Sequence, residues 1–400
     1  MNGGKEQPRK ILHLDLDAFF CAVEEQHDPD LQGKPFAVGG SPDQRGVVAS
    51  CSYAARLFGI HSAMPMSRAL QLYPDLIIVH SHHGVYGEVS QQVMAHLYNL
   101  TSLVEQVSID EAFLDVSDLR PSAETLARQL QAAIWEELTL PCSLGVATNK
   151  LIAKIANNIG KGTAQKGKPP MSIRVVPPGE EAAFLDPLPV QELWGVGPKT
   201  AAHLEALGIR TIGDLARWPE NDLVRRFGKL GGELAMHARG IDERPVVTEH
   251  ETKSVSKETT FSRDVSDKAV LCRTLRKLTE GVGKELRRNA LCGTTVRLKL
   301  RWQDFTTITR QVSLLQPTNQ DAEIYQEAST LFEKAWPPDT PVRLIGVGVS
   351  DLSEPVQQLG LWETPSEKGQ RLQETLDTLR ERFGDEAVRR ASELIDEDSE

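Results

Sequence analysis

The chain has 400 residues, of which 40% are hydrophobic and 25% charged, and its formal net charge is −11. This length predicts about two or three domains. No apolar run approaches the roughly 18 residues of a membrane span, and the polar residues 1–10 predict no signal peptide. The five cysteines form no Cys-x-x-Cys pair, which argues against a zinc site or a disulfide framework and indicates a cytoplasmic protein.

Two strand-prone apolar runs carry carboxylates, at residues 11–20 and 107–115. An ionised carboxylate is costly to bury without a partner. Adjacent acids therefore indicate either a solvated hairpin tip or a cation site. If the two strands lie side by side, Asp15, Asp110 and Glu111 surround one point. That is an all-oxygen site suited to Mg²⁺. We expect the nearby acids, Asp17 and Asp115, to be strand-end or supporting groups.

The pattern after the first strand predicts an α/β layer with a small inserted module. Residues 19–83 contain short pieces, among them strands at 35–40 and 46–51 and a helix that Ser52 caps. The following elements alternate between helix and strand. They are a helix at 85–103, an acidic hairpin at 104–116, a helix at 123–138, a strand at 142–147, a helix at 149–159, a loop at 161–170 and a strand at 172–176.

From residue 187 the pattern changes to short helices separated by glycine. Gly195 and Gly197 form a predicted glycine hairpin between two helices, and Lys199 follows in the second helix. Free backbone N–H groups at a helix N-terminus bind anions, so this segment favours phosphate binding. An ordinary helical turn is the alternative. Residues 227–232 are a weaker copy of the same turn.

A charged segment at residues 242–252 is a predicted linker to a separate α+β unit at 254–352. Within that unit, residues 296–302 alternate between apolar and basic side chains, which predicts a half-buried strand with a basic outer face. Residues 251–352 carry 16 Lys+Arg against 13 Asp+Glu, a net +3, whereas residues 363–400 carry 6 against 12. The acidity is thus partly in the tail, and a nucleic-acid surface remains compatible with the total charge.

Three motifs occur in an order and spacing that resemble those of the Y-family translesion DNA polymerases, of the bacterial DNA polymerase IV type. They are Asp15-Leu16-Asp17-Ala18-Phe19-Phe20, then Ser52-Tyr53-Ala54-Ala55-Arg56 followed by Phe58-Gly59, and then Ser108-Ile109-Asp110-Glu111-Ala112. The glycine hairpin is similar to the family's thumb, and residues 253–261 are similar to the start of its little finger. The resemblance covers nearly the whole chain.

The resemblance implies a multidomain α/β and α+β fold, a right-hand polymerase. Its parts would be the palm (1–18 and 84–180), small fingers (19–83), a helix-hairpin-helix thumb (181–241), the linker (242–252), an α+β little finger (253–352) and a tail (353–400) with a clamp-binding peptide and a helix. The implied function is low-fidelity, template-directed addition of deoxynucleotides to a primer in DNA repair and damage tolerance.

The resemblance also implies roles for individual residues. Asp15, Asp110 and Glu111, with the backbone carbonyl of Leu16, would hold two Mg²⁺ ions. The implied nucleotide-binding residues are Phe19, Phe20, Ser50, Tyr53, Arg56 and Lys161. Phe20 would be the steric gate against a ribose 2′-hydroxyl, and the small Val47 and Ala49 would roof the nascent base pair.

Two further assignments follow from the resemblance. The family has Lys-Pro where this chain has Gly160-Lys161-Gly162, so Lys166 or Lys168 is an alternative to Lys161. A sliding-clamp peptide is implied at Gln358, Leu359, Leu361 and Trp362, the alternative being a strand or linker packed onto the little finger. The implied partners are primer-template DNA, deoxynucleoside triphosphates and a sliding clamp, for a monomer without membrane contact.

Two other functions compete with this interpretation. A phosphatase could use Asp15 and Asp17 as nucleophile and acid, although this leaves Asp110 and Glu111 unexplained. A non-catalytic DNA-binding or clamp-bound scaffold would need only residues 193–207, the basic unit and residues 358–362. The complete set of three acids argues against a scaffold.

Overall fold

The computed structural model describes residues 8–163, 165–355, 372–373, 375–379 and 382–384. The chain divides into two compact units, residues 1–250 and 251–400. Among the described helices, none is long and apolar enough to cross a membrane. All five cysteines lie within the described residues and are free thiols.

The first unit combines two sheets with eleven helices in its described residues. In chain order its elements are β1 (Ile11–Leu16), α1 (Phe19–His27), β2 (Phe36–Gly39), β3 (Val48–Cys51), α2 (Tyr53–Arg56), α3 (Met66–Leu72), β4 (Ile77–Val79), α4 (His83–Leu100), β5 (Val104–Gln106), β6 (Glu111–Asp115), α5 (Ala123–Leu138), β7 (Cys142–Ala147), α6 (Lys150–Gly162), β8 (Ile173–Val175), α7 (Glu181–Leu185), α8 (Pro198–Ala206), α9 (Ile212–Arg217), α10 (Glu220–Phe227) and α11 (Lys229–Ala238). Short 3-10 helices occur at Pro29–Leu31, Pro42–Gln44 and Val190–Glu192.

Strand β1 is the centre of a five-stranded sheet with the order β5-β6-β1-β7-β8. Both of its neighbours, β6 and β7, run antiparallel to it. Successive side chains of a strand point to opposite faces. Leu12 and Leu14 accordingly enter the core that includes residues of α4 and α5, whereas Ile11 enters the core that includes residues of α6. The predicted α/β layer is confirmed, with β1 as its buried axis.

The inserted module contains a small sheet of order β3-β2-β4 with its own apolar cluster. The two predicted strands are present as β2 and β3. The Ser52 hydroxyl accepts a hydrogen bond from the backbone N–H of Ala55 at 3.1 Å, which confirms the predicted cap of α2. Strand β4 was not predicted, since its three residues follow a Pro-Asp step and pair in parallel with the distant β2.

The helical segment after residue 180 differs from the predicted helix–hairpin–helix in its first element. Between Pro187 and Gly195, where the first helix was expected, the structure has the 3-10 helix Val190–Glu192, since Pro187 and Pro189 lack the backbone N–H donors of a longer helix. The second helix, α8, begins at Pro198 as expected. The predicted copy of the turn is present at Gly228, which joins α10 to α11 with φ +61°.

The second unit is a four-stranded antiparallel sheet with two helices. Its elements are β9 (Ser254–Val265), α12 (Lys268–Arg288), β10 (Cys292–Trp302), β11 (Thr307–Thr318), α13 (Asp321–Ala335) and β12 (Val342–Ser353), and the strand order is β11-β10-β12-β9. Val296, Leu298 and Leu300 are buried with residues of α12 and α13, while Arg297 is exposed. The predicted alternation with a basic outer face is confirmed.

Candidate active site

The sheet brings two of the three predicted acids together as direct neighbours. Asp15 of β1 lies opposite Glu111 of β6 in the antiparallel register, and opposite residues share one face of a sheet. Asp110 lies in the turn before β6, where its carbonyl accepts a hydrogen bond from the N–H of Leu16 at 2.9 Å. Because only Glu111 belongs to the strand, the alternation of strand side chains does not separate the two adjacent acids.

Helix α6 crosses the same face of the sheet and supplies positive charge. A Cβ on Gly145 of β7 would lie 1.8 Å from the Ala153 carbonyl oxygen of α6. Only glycine therefore permits this close approach of helix and strand. Lys150, Lys154 and Lys161 have the spacing of residues on one helical face. The close packing of α6 on β7 thus brings Lys154 to Glu111 and Lys161 to Asp15.

Lys161 contacts two acids, one in β1 and one directly after it. Its Nζ lies 2.5 Å from Oδ1 of Asp15 and 3.3 Å from Oδ1 of Asp17. The predicted start of a loop at residue 161 is wrong, because α6 continues to Gly162. The alternative residues, Lys166 and Lys168, are exposed in the loop beyond the helix. The helix therefore brings Lys161 to the acidic end of β1.

Glu111 is held by two donors that the sequence interpretation missed. Lys154 Nζ and His13 Nε2 both contact its Oε1, the latter at 2.5 Å. Asn157 donates from Nδ2 to His13 Nδ1 at 2.9 Å, which assigns the imidazole proton to Nε2. Burial raises the pKa of Glu111, but these two donors more than offset it and lower the pKa to about 2. Burial lowers the pKa of His13.

Two other carboxylates show the concentration of negative charge. Burial raises the pKa of Asp110, and the charges of Asp15 and Glu111 add to this, against a hydrogen bond from Ser108 Oγ at 2.6 Å. Asp17 is 1% exposed and accepts hydrogen bonds from Ser143 Oγ and the N–H of Met171. Burial raises the pKa of Asp17 as well.

The donor set fits a hard divalent cation by its chemistry, since it consists of carboxylate oxygens at one end of two strands. Its charge also requires a cation, which the ammonium groups of Lys154 and Lys161 provide here. Within the described ranges, no three His, Cys, Asp or Glu side chains are arranged as a metal centre. Binding a metal ion would therefore need these lysines to exchange places with it.

Two adjacent phenylalanines follow β1 and differ in their burial. Ala18 has left-handed backbone angles, φ 50° and ψ 48°, and redirects the chain from β1 into α1. The Phe19 ring is buried in the core, so only its backbone remains available for a nucleotide. Phe20 is half-buried, and its ring stacks on Tyr86 with centroids 4.3 Å apart.

The predicted triphosphate contacts lie on β3 and α2. The Arg56 guanidinium is 4.3 Å from the centre of the Tyr53 ring, which confirms that they share a helix face. Burial raises the pKa of Tyr53, and the charge of Asp17 adds to this. Ser50 is mostly buried, whereas Val47 and Ala49 are exposed.

Three further predicted contacts lie elsewhere. Gly195 has φ +95°, and Gly197 precedes α8, in which Lys199 is exposed. In the second unit, a groove of ≈ 190 Å³ runs over β9, β10 and β12, and Lys257, Arg297 and Lys299 are among its lining residues. The predicted clamp peptide, residues 358–362, lies outside the described residues.

Comparison with known proteins identifies relatives over most of the chain. Models of the impB/mucB/samB family match residues 14–158, those of its C-terminal domain match 252–361, and those of its HHH motif match 178–209. A DNA polymerase IV of Listeria monocytogenes is 43% identical over 86% of this chain and 95% of its own length. A DNA polymerase IV of Dehalococcoides mccartyi is 39% identical over 95% of this chain and 96% of its own length.

A solved structure has a similar fold. It is a Y-family DNA polymerase chimera, 25% identical in sequence, with a TM-score of 0.76. The alignment covers 86% of this chain and all of the chimera.

Proposed function

The chain belongs to the impB/mucB/samB family and is a Y-family DNA polymerase with the right-hand fold, and we propose that it performs low-fidelity translesion synthesis by two-metal phosphoryl transfer. The observation that carries the proposal is the position of Asp15 opposite Glu111 in the sheet, with Asp110 in the turn that adjoins both. Residues 1–18 and 84–180 are assigned to the palm, 19–83 to the fingers, 181–241 to the thumb, and 253–352 to the little finger.

Asp15, Asp110 and Glu111, together with the carbonyl of Leu16, would hold two Mg²⁺ ions. When bound, the ions activate the primer 3′-hydroxyl and neutralise developing charge on the phosphates. His13 and Asn157 keep the Glu111 carboxylate in place from its buried side. Asp17 is too enclosed to bind a metal directly and instead orients Lys161 and the segment near Met171.

Cationic side chains would receive the incoming triphosphate. Lys161, Lys154 and Arg56 would form ion pairs with its oxygens, since charge-assisted hydrogen bonds to phosphate are strong. The hydroxyl groups of Ser50 and Tyr53 would add neutral contacts. When the triphosphate binds, the ammonium groups of these two lysines would exchange their carboxylate partners for phosphate oxygens. Helix α6 itself would stay in place.

Shape selection would come from the fingers. Phe20 is half-buried in α1, and the exposed part of its ring would exclude a ribose 2′-hydroxyl by contact. Val47 and Ala49 are small and exposed, so they would cover the nascent base pair loosely. A loose cover tolerates damaged bases and mispairs, which supports the proposed translesion role.

DNA would be bound through backbone and basic groups. The glycine turn at Gly195 and Gly197, with Lys199, would contact a phosphate. The basic outer face of β10 would follow the duplex backbone, where Lys and Arg release counterions on binding. Residues 358–362 would bind a sliding clamp, and the enzyme would act as a monomer in the cytoplasm.

A phosphatase function is less well supported. It would need Asp17 as a proton donor within reach of a substrate. Asp17 is 1% exposed and accepts hydrogen bonds from Ser143 and Met171, so it cannot contact an external phosphate ester.

Primer extension with Mg²⁺ tests the proposed site. Asp110→Asn should slow single-nucleotide insertion by about a thousandfold or more, roughly 4 kcal/mol of barrier, whereas Asp115→Asn, at the other end of β6, should insert normally. Equal extension by Asp110→Asn and wild type would refute the site.

A clamp pulldown tests the tail separately. Deletion of residues 358–362 should abolish capture by a sliding clamp and leave clamp-independent primer extension intact. Retained capture would refute the peptide assignment.

A further inference from the structure

Another buried carboxylate, Glu24, has no part in the chemistry above. Its side chain lies in α1 and the residue is 3% exposed. Burying a carboxylate is costly unless donors satisfy it. Here Oε1 of Glu24 accepts a hydrogen bond from the hydroxyl of Tyr86 and lies 2.9 Å from Nδ1 of His82. Glu24 is thus a fixed acceptor between α1 and the start of α4.

The Tyr86 ring connects this acceptor to Phe20. Phe20 and Glu24 are four residues apart and therefore lie on one face of α1. Tyr86 covers both, because its ring stacks on Phe20 at 4.3 Å and 16° while its hydroxyl bonds to Glu24. The Phe19 ring meets Tyr86 edge-on at 6.4 Å. Tyr86 itself is fully buried.

This arrangement bears on how well Phe20 can exclude a substituent. Exclusion by a ring depends on the ring staying in place, since a shift of about 1 Å forfeits much of a van der Waals contact or overlap. Stacking alone lets two aromatic rings slide in an offset manner. The hydrogen bond at the far end of Tyr86 removes that freedom and fixes the plane on which Phe20 rests.

We propose that Glu24 is a specificity-determining positioning residue, which sharpens discrimination between deoxyribonucleotides and ribonucleotides by holding Tyr86 against Phe20. His82, on the exposed side, completes the acceptor's hydrogen bonding. The inference rests on the proposed role of Phe20 as the sugar gate. A purely structural role, in which Glu24 only joins α1 to α4, is the competing explanation.

The test is the ratio of kcat/KM for a deoxynucleotide to that for the matching ribonucleotide. Glu24→Leu and Tyr86→Phe should each lower this ratio by about fivefold to tenfold, the range for loss of one buried hydrogen bond. Glu24→Gln keeps an acceptor oxygen and should retain the wild-type ratio. The double variant should lose no more than either single variant, because both remove the same bond.

The ratio separates positioning from stability, since a uniform loss of folded enzyme cancels in it. Tyr86→Phe keeps the buried ring and carries the test if Glu24→Leu does not fold. If both variants unfold at a lower temperature than the wild type but keep its ratio of kcat/KM values, the inference is overturned. Phe20→Ala serves as the reference: if it lowers the ratio and the Glu24 and Tyr86 variants do not, only this inference fails, and if it leaves the ratio unchanged, the gate itself fails.

Discussion

Two neighbouring regions at the end of β1 are held in place by different forces. Asp15 and Glu111 are held by ion pairs to the ammonium groups of Lys161 and Lys154. Phe20 is held by a stacked ring whose hydroxyl is bound to a buried carboxylate. Ion pairs can be exchanged for other ion pairs, whereas a packed aromatic cluster has one arrangement. The ion pairs can therefore give way to a charged ligand, whereas the aromatic cluster keeps its shape.

The largest expected effect breaks the charged region. Lys161→Ala should slow insertion by about a hundredfold, roughly 2.7 kcal/mol of barrier, because the triphosphate and the acids both lose their nearest cation. The preference for deoxynucleotides should stay as in the wild type. Single-turnover kinetics with both sugars measures this.

Lys168→Ala is the matched control, since Lys168 is exposed in the loop that follows α6. It should insert nucleotides at close to the wild-type rate. A larger loss in Lys168→Ala than in Lys161→Ala would assign the triphosphate contact to the loop.

A smaller effect is expected from moving α6 as a whole. Gly145→Ala introduces a Cβ at 1.8 Å from the Ala153 carbonyl oxygen and 2.7 Å from the backbone nitrogen of Asn157. Overpacking of this kind costs about 1–3 kcal/mol, which denaturant titration measures. Insertion should slow because the lysine face shifts, and the sugar preference should again persist.

Gly87→Ala in α4 is its control, because a Cβ there has no atom within 4 Å. Stability should be kept or slightly raised, as alanine favours helix more than glycine. Equal stability of wild type and Gly145→Ala would show that α6 is not pressed against β7 as described.

The smallest expected effect breaks the aromatic region alone. Phe20→Ala should reduce the preference for deoxynucleotides by about tenfold, roughly 1.4 kcal/mol. Its insertion rate with deoxynucleotides should exceed that of Lys161→Ala. Phe20→Tyr keeps the ring and should keep the preference. Competition between the two nucleotide types on one primer reports the ratio of deoxynucleotide to ribonucleotide insertion. An unchanged ratio in Phe20→Ala would show that Phe20 does not select the sugar.

The carboxylates of the site could be singled out because each lies within an otherwise apolar, strand-prone run of sequence. Asp15, Asp110 and Glu111 were singled out by the cost of burying charge. In the structure, the antiparallel register of β1 and β6 places Asp15 opposite Glu111. The cap at Ser52 and the alternation at Val296, Leu298 and Leu300 followed equally from local rules.

Contacts between distant segments could not be read in the same way. His13 and Lys154 meet Glu111 across 98 and 43 residues of sequence. One signal was available, since the spacing of Lys154, Asn157 and Lys161 predicts that they share one helical face. The glycines beside Lys161 hid this signal, because they favour a loop.

Gly160 and Gly162 favoured a loop, yet α6 includes both. A Cβ on Gly160 would lie 2.3 Å from the Ser172 hydroxyl oxygen. This glycine therefore serves close packing rather than helix termination, and tertiary packing overrides its weak helix propensity.

The number of Mn²⁺ ions bound to the enzyme with a dideoxy-terminated primer-template and an incoming nucleotide tests the two-metal centre most directly. Electron paramagnetic resonance can count Mn²⁺, which prefers the same oxygen ligands as Mg²⁺. Two ions per complex in the wild type, and fewer in Asp110→Asn, are the predicted result. A single ion in the wild type, or the same count in both proteins, would contradict the account.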